Sequence, residues 1–222
     1  MTLTYLDIYN EVTGQAWSMF DSEVEDKDEF ESSVTSSIQK ALTELWCSYP
    51  FPFRIKDYAI KTKIDVNSYA LPTGNILKKT VAGEETYSVK IGKEFLDYES
   101  NYETLDDETG KPRSFYVKND KLYLYPTPDD VYKVDIEYLA LQVGFNEDGE
   151  KIYQLIEDTD YLDIPEKYEV IFKNALITLA MYYAIASRED ENSSSYKEQY
   201  ENAYKILVEY AKGINTVKRI TW

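Results

Sequence analysis

Residues 111–138 read KPRSFYVKNDKLYLYPTPDDVYKVDIEY, and the fold turns on how the three short alternating runs in this stretch are joined. Residues 114–118 alternate bulky and polar side chains before Asn119 and Asp120 turn the chain. Residues 122–125 (LYLY) follow, and 126–130 (PTPDD) turn it again. The third run sets Tyr132, Val134, Ile136 and Tyr138 on one face against Lys133, Asp135 and Glu137 on the other. Strict period-two alternation over that length predicts half-buried antiparallel strands. Pro126 and Pro128 have no N–H to give a ladder, so the chain must break there. The stretch reads as a β-meander with helices on both sides.

Toward the N-terminus, residues 4–20 predict a helix capped by Thr4 with Asp7 three residues on. Its stripe is Tyr5, Ile8, Val12, Ala16 and Met19 or Phe20. Gly14 weakens it by about 1 kcal/mol relative to alanine. An acidic connector, 21–28, leads to a second helix over about 28–48, with Phe30, Val34, Ile38, Leu42, Leu45 and Trp46 at three- and four-residue spacing. The two predict an antiparallel hairpin, ended by Tyr49-Pro50-Phe51-Pro52. Residues 53–66, 69–71, 76–81 and 86–91 predict strands that join the meander in a sandwich or barrel-like sheet. Residues 139–155 predict a long hairpin arm turning at Asp148-Gly149.

Pro165 opens the most apolar helix in the chain, whose apolar residues cover more than one face, so it belongs in a core or against a neighbouring subunit. After a polar break over 188–195, a fourth helix spans 196–211 with Tyr200, Tyr204, Leu207 and Ala211 inward, ending at Gly213. The fold class is α+β: a four-helix scaffold, two helices N-terminal and two C-terminal, with an inserted antiparallel β-sandwich or barrel-like domain. The expected divisions are 1–50, 51–160, 161–213 and a docking tail, 214–222. That tail (INTVKRITW) has two basic residues, no acid and a terminal tryptophan, a composition suited to docking on a partner or a neighbouring subunit.

Composition narrows the chemistry. The chain has 24 basic and 41 acidic residues, a net charge of −17, so it is a poor match for a DNA backbone, whose binding draws on Lys and Arg. It could still surround DNA without gripping it. There is no histidine, and Cys47, beside Trp46, is the one cysteine and reads as a small core residue. Internal disulfides, Cys/His zinc sites and imidazole-based catalysis are thereby excluded. Residues 175–186 are apolar but too short a run to span a bilayer. The N-terminal residues lack a secretion-signal pattern, so cytosolic synthesis is expected.

The order of Gly110, Pro112, Phe115-Tyr116, residues 122–129 and Tyr138, followed by the helix-opening LDIPEKY at 162–168, resembles the head–tail adaptor (connector) proteins of tailed bacteriophages, of the podovirus tail-tubular type. What the resemblance implies is a structural virion protein made in the host cytoplasm. It would form a ring, a dodecamer, at the head–tail junction, between the portal protein and the tail tube or nozzle proteins. Genomic DNA would pass through its channel without specific binding, and no membrane, cofactor, metal or catalytic residue would be involved. Apart from the resemblance, the composition of the tail leads to the expectation that it reaches the portal, with Val217, Ile220 and Trp222 as anchors and Lys218 and Arg219 meeting portal acids.

Other chemistries find less support in the residues. Glu84-Glu85 and Asp106-Asp107-Glu108 are the carboxylate pairs that a peptidoglycan-cleaving tail component would draw on, but sequence neighbours in loops do not supply a pair facing across a cleft. Aligning Gly110 or Gly149 with the sixth position of a calcium loop puts Tyr116 or Leu155 where a glutamate is required. Gly83, Gly92, Gly110 and Gly149 are isolated, so no phosphate-cradling pattern occurs. The 22 tyrosines, lacking interleaved arginines, suit cores and protein interfaces better than base stacking. A cell-surface or carbohydrate-binding β module is disfavoured by the enclosing helices.

Overall fold

The computed structural model describes residues 2–20, 27–81, 83–186 and 193–219, with Phe20, Thr104 and 214–219 described by backbone alone. The chain opens with α1 (Tyr5–Phe20) and α2 (Lys27–Ser48). Eight strands follow: β1 (Ile55–Lys61), β2 (Ser68–Ala70), β3 (Gly74–Ile76), β4 (Lys78–Val81), β5 (Glu84–Tyr87), β6 (Val89–Ile91), β7 (Glu94–Phe95) and β8 (Asp97–Tyr98). Then come β9 (Thr109–Gly110), β10 (Ser114–Lys118), β11 (Lys121–Tyr125), β12 (Thr127–Pro128) and β13 (Lys133–Ala140). Three two-residue strands, β14 (Gly144–Phe145), β15 (Lys151–Ile152) and β16 (Tyr161–Leu162), precede α3 (Glu166–Ala186) and α4 (Ser193–Arg219). The architecture is α+β, with a mainly antiparallel β region inserted between two helical pairs. It divides into two compact units, residues 1–53 with 142–222, and residues 54–141.

The helical unit is built on α3, which packs against α1, α2 and α4. At 21 residues α3 is long and apolar enough to cross a bilayer by composition. Eleven of its residues are instead buried among the other helices of the unit. Each partner brings the stripe its spacing dictates: Ile8, Val12 and Ala16 from α1, Phe30, Val34, Ile38, Leu42 and Leu45 from α2, Ala203, Leu207 and Ala211 from α4. Where the chain leaves α2, Phe51 stacks on Phe53 at 5.2 Å, and Phe53 meets Tyr168 edge-on at 5.1 Å. Trp46 meets Phe172 edge-on at 5.9 Å. This aromatic knot fixes the Pro50–Pro52 exit to α3.

The start of α1 is closed by a reciprocal cap. Asp7 Oδ2 accepts from the Thr4 hydroxyl at 2.7 Å and from the Thr4 N–H at 3.2 Å, while the Asp7 N–H donates to Thr4 Oγ1 at 3.2 Å. The segment before it is tied to the approach to α3. The Tyr5 N–H donates to the Asp160 carbonyl at 2.8 Å, and the Leu162 N–H to the Leu3 carbonyl at 3.1 Å. Asp160 is itself buried, its carboxylate accepting from the N–H groups of Ile156 and Glu157. Gly144 lies so close to the Tyr161 carbonyl that any Cβ there would overlap it.

The β unit is a two-sheet sandwich. One sheet has the order β1-β13-β6-β7, with β3 also on β13, and the other β2-β11-β10-β8. Ile60, Val89, Val134 and Ile136 of the first sheet and Phe115, Leu122 and Leu124 of the second form one buried cluster. The turn at Asn119 and Asp120 is as expected: both have positive φ, near 50° and 57°, and close a two-residue hairpin.

The third run, however, is not the next strand of a meander. Both edges of β11 are taken, by β10 and β2. After the cis Tyr125–Pro126 peptide, Thr127 donates its N–H to the Glu108 carbonyl at 2.8 Å, and the chain enters the other sheet. There β13 pairs with β1 over seven residues, a longer ladder than five-residue β11 could supply. Its inward face, Val134, Ile136 and Tyr138, is the one the alternation indicated.

Other expectations are corrected. Residues 142–160 belong to the helical unit and not to a β domain over 51–160, because Val143 and Leu155 are buried in the helical core. The turn at Gly149 exists, with φ near 76°, but its arms are two residues long. Cys47 is exposed, one step past the buried Leu42, Leu45 and Trp46 positions of α2. The fourth helix begins at Ser193 and continues through Gly213 to Arg219. Gly213 has open space where a Cβ would sit and no positive φ, so nothing there demands a helix end. Residues 21–26 and 188–192 of the expected connectors lie outside the described residues.

Phe172 is fully buried, and Phe172→Ala is expected to cost about 3 to 5 kcal/mol, read as a lowered urea midpoint. Val170→Ala, two residues away and exposed, should cost within about 0.5 kcal/mol. The Thr4 hydrogen bonds hold the Asp7 carboxyl below its ordinary value. A depressed folded value adds stability above the unfolded pKa that is lost as pH falls through the folded one. The stability difference between wild type and Asp7→Asn should therefore be full at neutral pH and shrink in acid. A pH-independent difference would contradict this.

Candidate assembly surfaces

Among the described residues of the helical unit, no helix is laid over one strip of α3. Val170 is 80% exposed, and Ile206 of α4, beside it, is 55% exposed. Between them runs a groove of about 500 Å³ lined by Glu11, Val170, Ile171, Lys173, Asn174, Ile177, Ala203 and Ile206. A smaller hollow of about 210 Å³ shares Val170 and Lys173 with it and adds Thr2, Leu3, Asp7 and Glu169. Lys173 Nζ pairs with Glu11 at 2.6 Å across the rim. The result is a continuous aliphatic floor with three acids, Asp7, Glu11 and Glu169, and one base at its edges. An exposed apolar surface of this kind, rimmed by charge, is characteristic of protein contact sites.

The opposite side of α3 is aromatic. Tyr183 donates its hydroxyl to Glu44, and Lys40 Nζ stands 3.8 Å from the Tyr183 ring centre. Burial, then the Glu44 carboxylate, raises the Tyr183 pKa, and burial pushes that of Tyr200 up to about 12. Both hydroxyls stay protonated at neutral pH. The helical unit therefore carries unlike surfaces, one aliphatic and acid-rimmed, one rich in tyrosine.

In the β unit the outer sides of the two sheets also differ. The β13 sheet carries ion pairs, Lys79 with Glu137 and Lys133 with Asp135, as a water-facing surface does. The β10–β11 sheet carries a tyrosine stack, Tyr102 on Tyr116 at 4.6 Å and Tyr116 on Tyr123 at 4.8 Å, with Lys118 5.1 Å from the Tyr102 ring centre.

One end of the sandwich is a braced tip. The Thr62 N–H donates to the Tyr132 carbonyl at 2.9 Å, and the Tyr132 N–H to Thr62 Oγ1 at 2.7 Å. The same hydroxyl donates to the Asp130 carbonyl at 2.9 Å, and the Asp65 N–H to the Pro128 carbonyl at 3.0 Å. These bonds hold the two loops that present Ile64 and Val131, 57% and 60% exposed. Tyr132 donates to Asp129 at 2.6 Å, which pushes its pKa up to about 12.

The carboxylates singled out in the sequence form no cleft. Glu84 and Glu85 lie exposed on the β4–β5 hairpin, with Glu85 4.0 Å from Lys78. Asp106 and Asp107 are exposed, and Glu108 accepts from Arg113 at 2.7 Å and from Tyr125 at 3.0 Å. Among the described residues no three His, Cys, Asp or Glu side chains are grouped to hold a metal. Of the expected docking tail, Val217, Lys218 and Arg219 are described by backbone only, as the last turn of α4. Ile220 and Trp222 lie outside the described residues.

Sequence reasoning missed Val170 and Ile206. Their signal was present, because α3 is too apolar for one face and Ile206 falls off the Ala203–Leu207–Ala211 stripe.

A family model described as SU10 adaptor protein matches residues 4–219, spanning both units. No curated protein matches the chain.

Thr62 is buried and its hydroxyl serves both tip loops. Thr62→Val should leave the Tyr132 N–H and the Asp130 carbonyl without that partner and cost about 1 to 3 kcal/mol in urea unfolding. Faster amide exchange at Tyr132 should accompany it, and exchange as slow as wild type would mean that the brace does not hold the tip.

Proposed function

The chain belongs to the SU10 adaptor protein family, a family of phage adaptors, and from that premise we propose that it forms a ring at the head–tail junction, joining the portal to the tail. The family match over residues 4–219 is the observation that carries this reading. The proposed ring is a dodecamer lining the DNA exit channel, with the portal on one side and tail tube or nozzle proteins on the other. Its unlike surfaces support the reading, because a ring closes through heterologous contacts between two different patches on each subunit. The net charge of −17 also supports it, since an acidic wall repels a DNA backbone and lets it slide.

The role is structural and non-enzymatic. The alternative, a peptidoglycan-cleaving tail component, gains nothing from the carboxylates described above: they are exposed sequence neighbours, and Glu108 is engaged by Arg113 and Tyr125. A hydrolase of that kind needs two carboxyl groups facing each other across a bound sugar.

Light scattering on the full chain, alone and mixed with the portal protein of the same phage, tests the reading. The expected result is a mass that rises to a fixed ring stoichiometry, either alone or once the portal is present. A monomer or dimer whose mass the portal leaves unchanged would overturn it.

A further inference from the structure

The β unit leaves two requirements unmet, on opposite sides of one sheet. Strand β1 ends its sheet: β13 runs along one side of it, and among the described residues no strand pairs with the other. The Thr62 N–H, next in that register, donates to the Tyr132 carbonyl. In an antiparallel ladder, successive residues alternate between facing the partner strand and facing away from it. The N–H and C=O groups of Lys56, Tyr58 and Ile60 therefore face β13, and those of Asp57, Ala59 and Lys61 point to the open side. All three of the latter residues are exposed. At seven residues and without proline, β1 is long for a bare edge, and such an edge is a template for adding another strand.

The converse lies across β13. There β3 pairs with residues 138–140 and β6 with residues 134–136, so the two are halves of one interrupted strand. The β4–β5 hairpin is the interruption, leaving and returning opposite Glu137. The Leu77 N–H donates to the Glu137 carbonyl at 2.9 Å, and the Glu137 N–H to the Ser88 carbonyl at 3.0 Å. Among the described residues, β4 and β5 pair only with each other. Arms of four residues extend roughly 13 Å, and in their outer half Thr80, Val81, Glu84 and Glu85 are all exposed. A two-stranded ribbon with no buried face of its own is marginal in water and gains from a third strand.

An open edge on one side of β13 and a bare ribbon on the other do not meet within one subunit. They are the two halves of a heterologous contact, the kind that closes rings. The charges agree: β1 carries Lys56 and Lys61 against Asp57, while β5 opens with Glu84 and Glu85.

We propose that β5 of one copy adds to the open edge of β1 in the next, extending the β13 sheet from subunit to subunit. This rests on the ring reading and names the strand and the edge that join neighbours.

The test uses the full chain with and without the portal, read by light scattering, with circular dichroism and the urea midpoint as folding controls. Two variants are compared with wild type. Ala59→Pro removes an N–H that faces away from β13, so it costs the subunit no ladder bond and blocks an added strand. Replacing residues 80–85 by Asn-Gly closes the hairpin with a two-residue turn after the Lys79–Thr86 pair. The expected result is folding unchanged and assembly weakened by about tenfold or more in each. Hydrogen exchange read by mass spectrometry should show the amides of Asp57, Ala59 and Lys61 slow in the wild-type ring and fast in the unassembled short-hairpin chain. Should Ala59→Pro fail to fold, the short hairpin and the exchange decide. Rings that survive the short hairpin, or in which those three amides stay fast, would overturn the strand addition while leaving the ring reading intact. A short-hairpin chain whose β1 amides slow only when the portal is added would assign the edge to the portal and equally overturn the proposal. A wild type that forms no ring in either condition would remove the ring reading, and this contact with it.

Discussion

Helix α3 is the constraint from which the helical unit follows. A 21-residue helix that is apolar around most of its circumference has to be covered nearly all the way round, and three helices from two separate stretches of chain do so. That requirement explains why the chain closes back on itself. Residues 1–53 and 142–222 share one buried cluster and form one compact unit. The aromatic knot of Trp46, Phe51, Phe53, Tyr168 and Phe172 sits where those stretches join. The strip of α3 left uncovered, at Val170, is the natural place to look for another molecule.

The β unit meets a different requirement. An insertion into a helical frame keeps its own stability only if it closes its own core, and the two sheets do so through Val134, Ile136, Phe115, Leu122 and Leu124. Arg54, at its first residue, is buried and donates to the Ala140 carbonyl near its last, so the ends of the insertion are tied together. A unit closed in this way can vary its tips and faces without disturbing the helical frame, which suits a protein whose work is contact with others.

What the sequence made legible was local. Helical spacing located α1, α2 and α3 to within a residue or two, the Thr4–Asp7 cap was visible as a pattern, and Asn119-Asp120 announced a two-residue hairpin. What it hid was pairing. The alternation of β13 told which face was inward but not that β1, more than seventy residues earlier, and not β11, would be its neighbour. Short arms around Gly149 were overestimated because a turn signal fixes the turn and not the length of ladder beyond it. Gly213 was read as a stop, yet glycine merely weakens a helix, and nothing after it in residues 214–219 breaks one. The tail was singled out from its composition alone, while the groove required knowing which sides of α3 the other helices had taken. Val170 and Ile206 are ordinary helix residues until their neighbours are in place.

In the proposed ring each subunit would be completed by its neighbours. End-on electron microscopy of the assembled full-length protein tests this most directly. It predicts closed annular particles with an open centre and a single cyclic symmetry. Two-fold dimers with a filled interface, or open filaments of indefinite length, would contradict it.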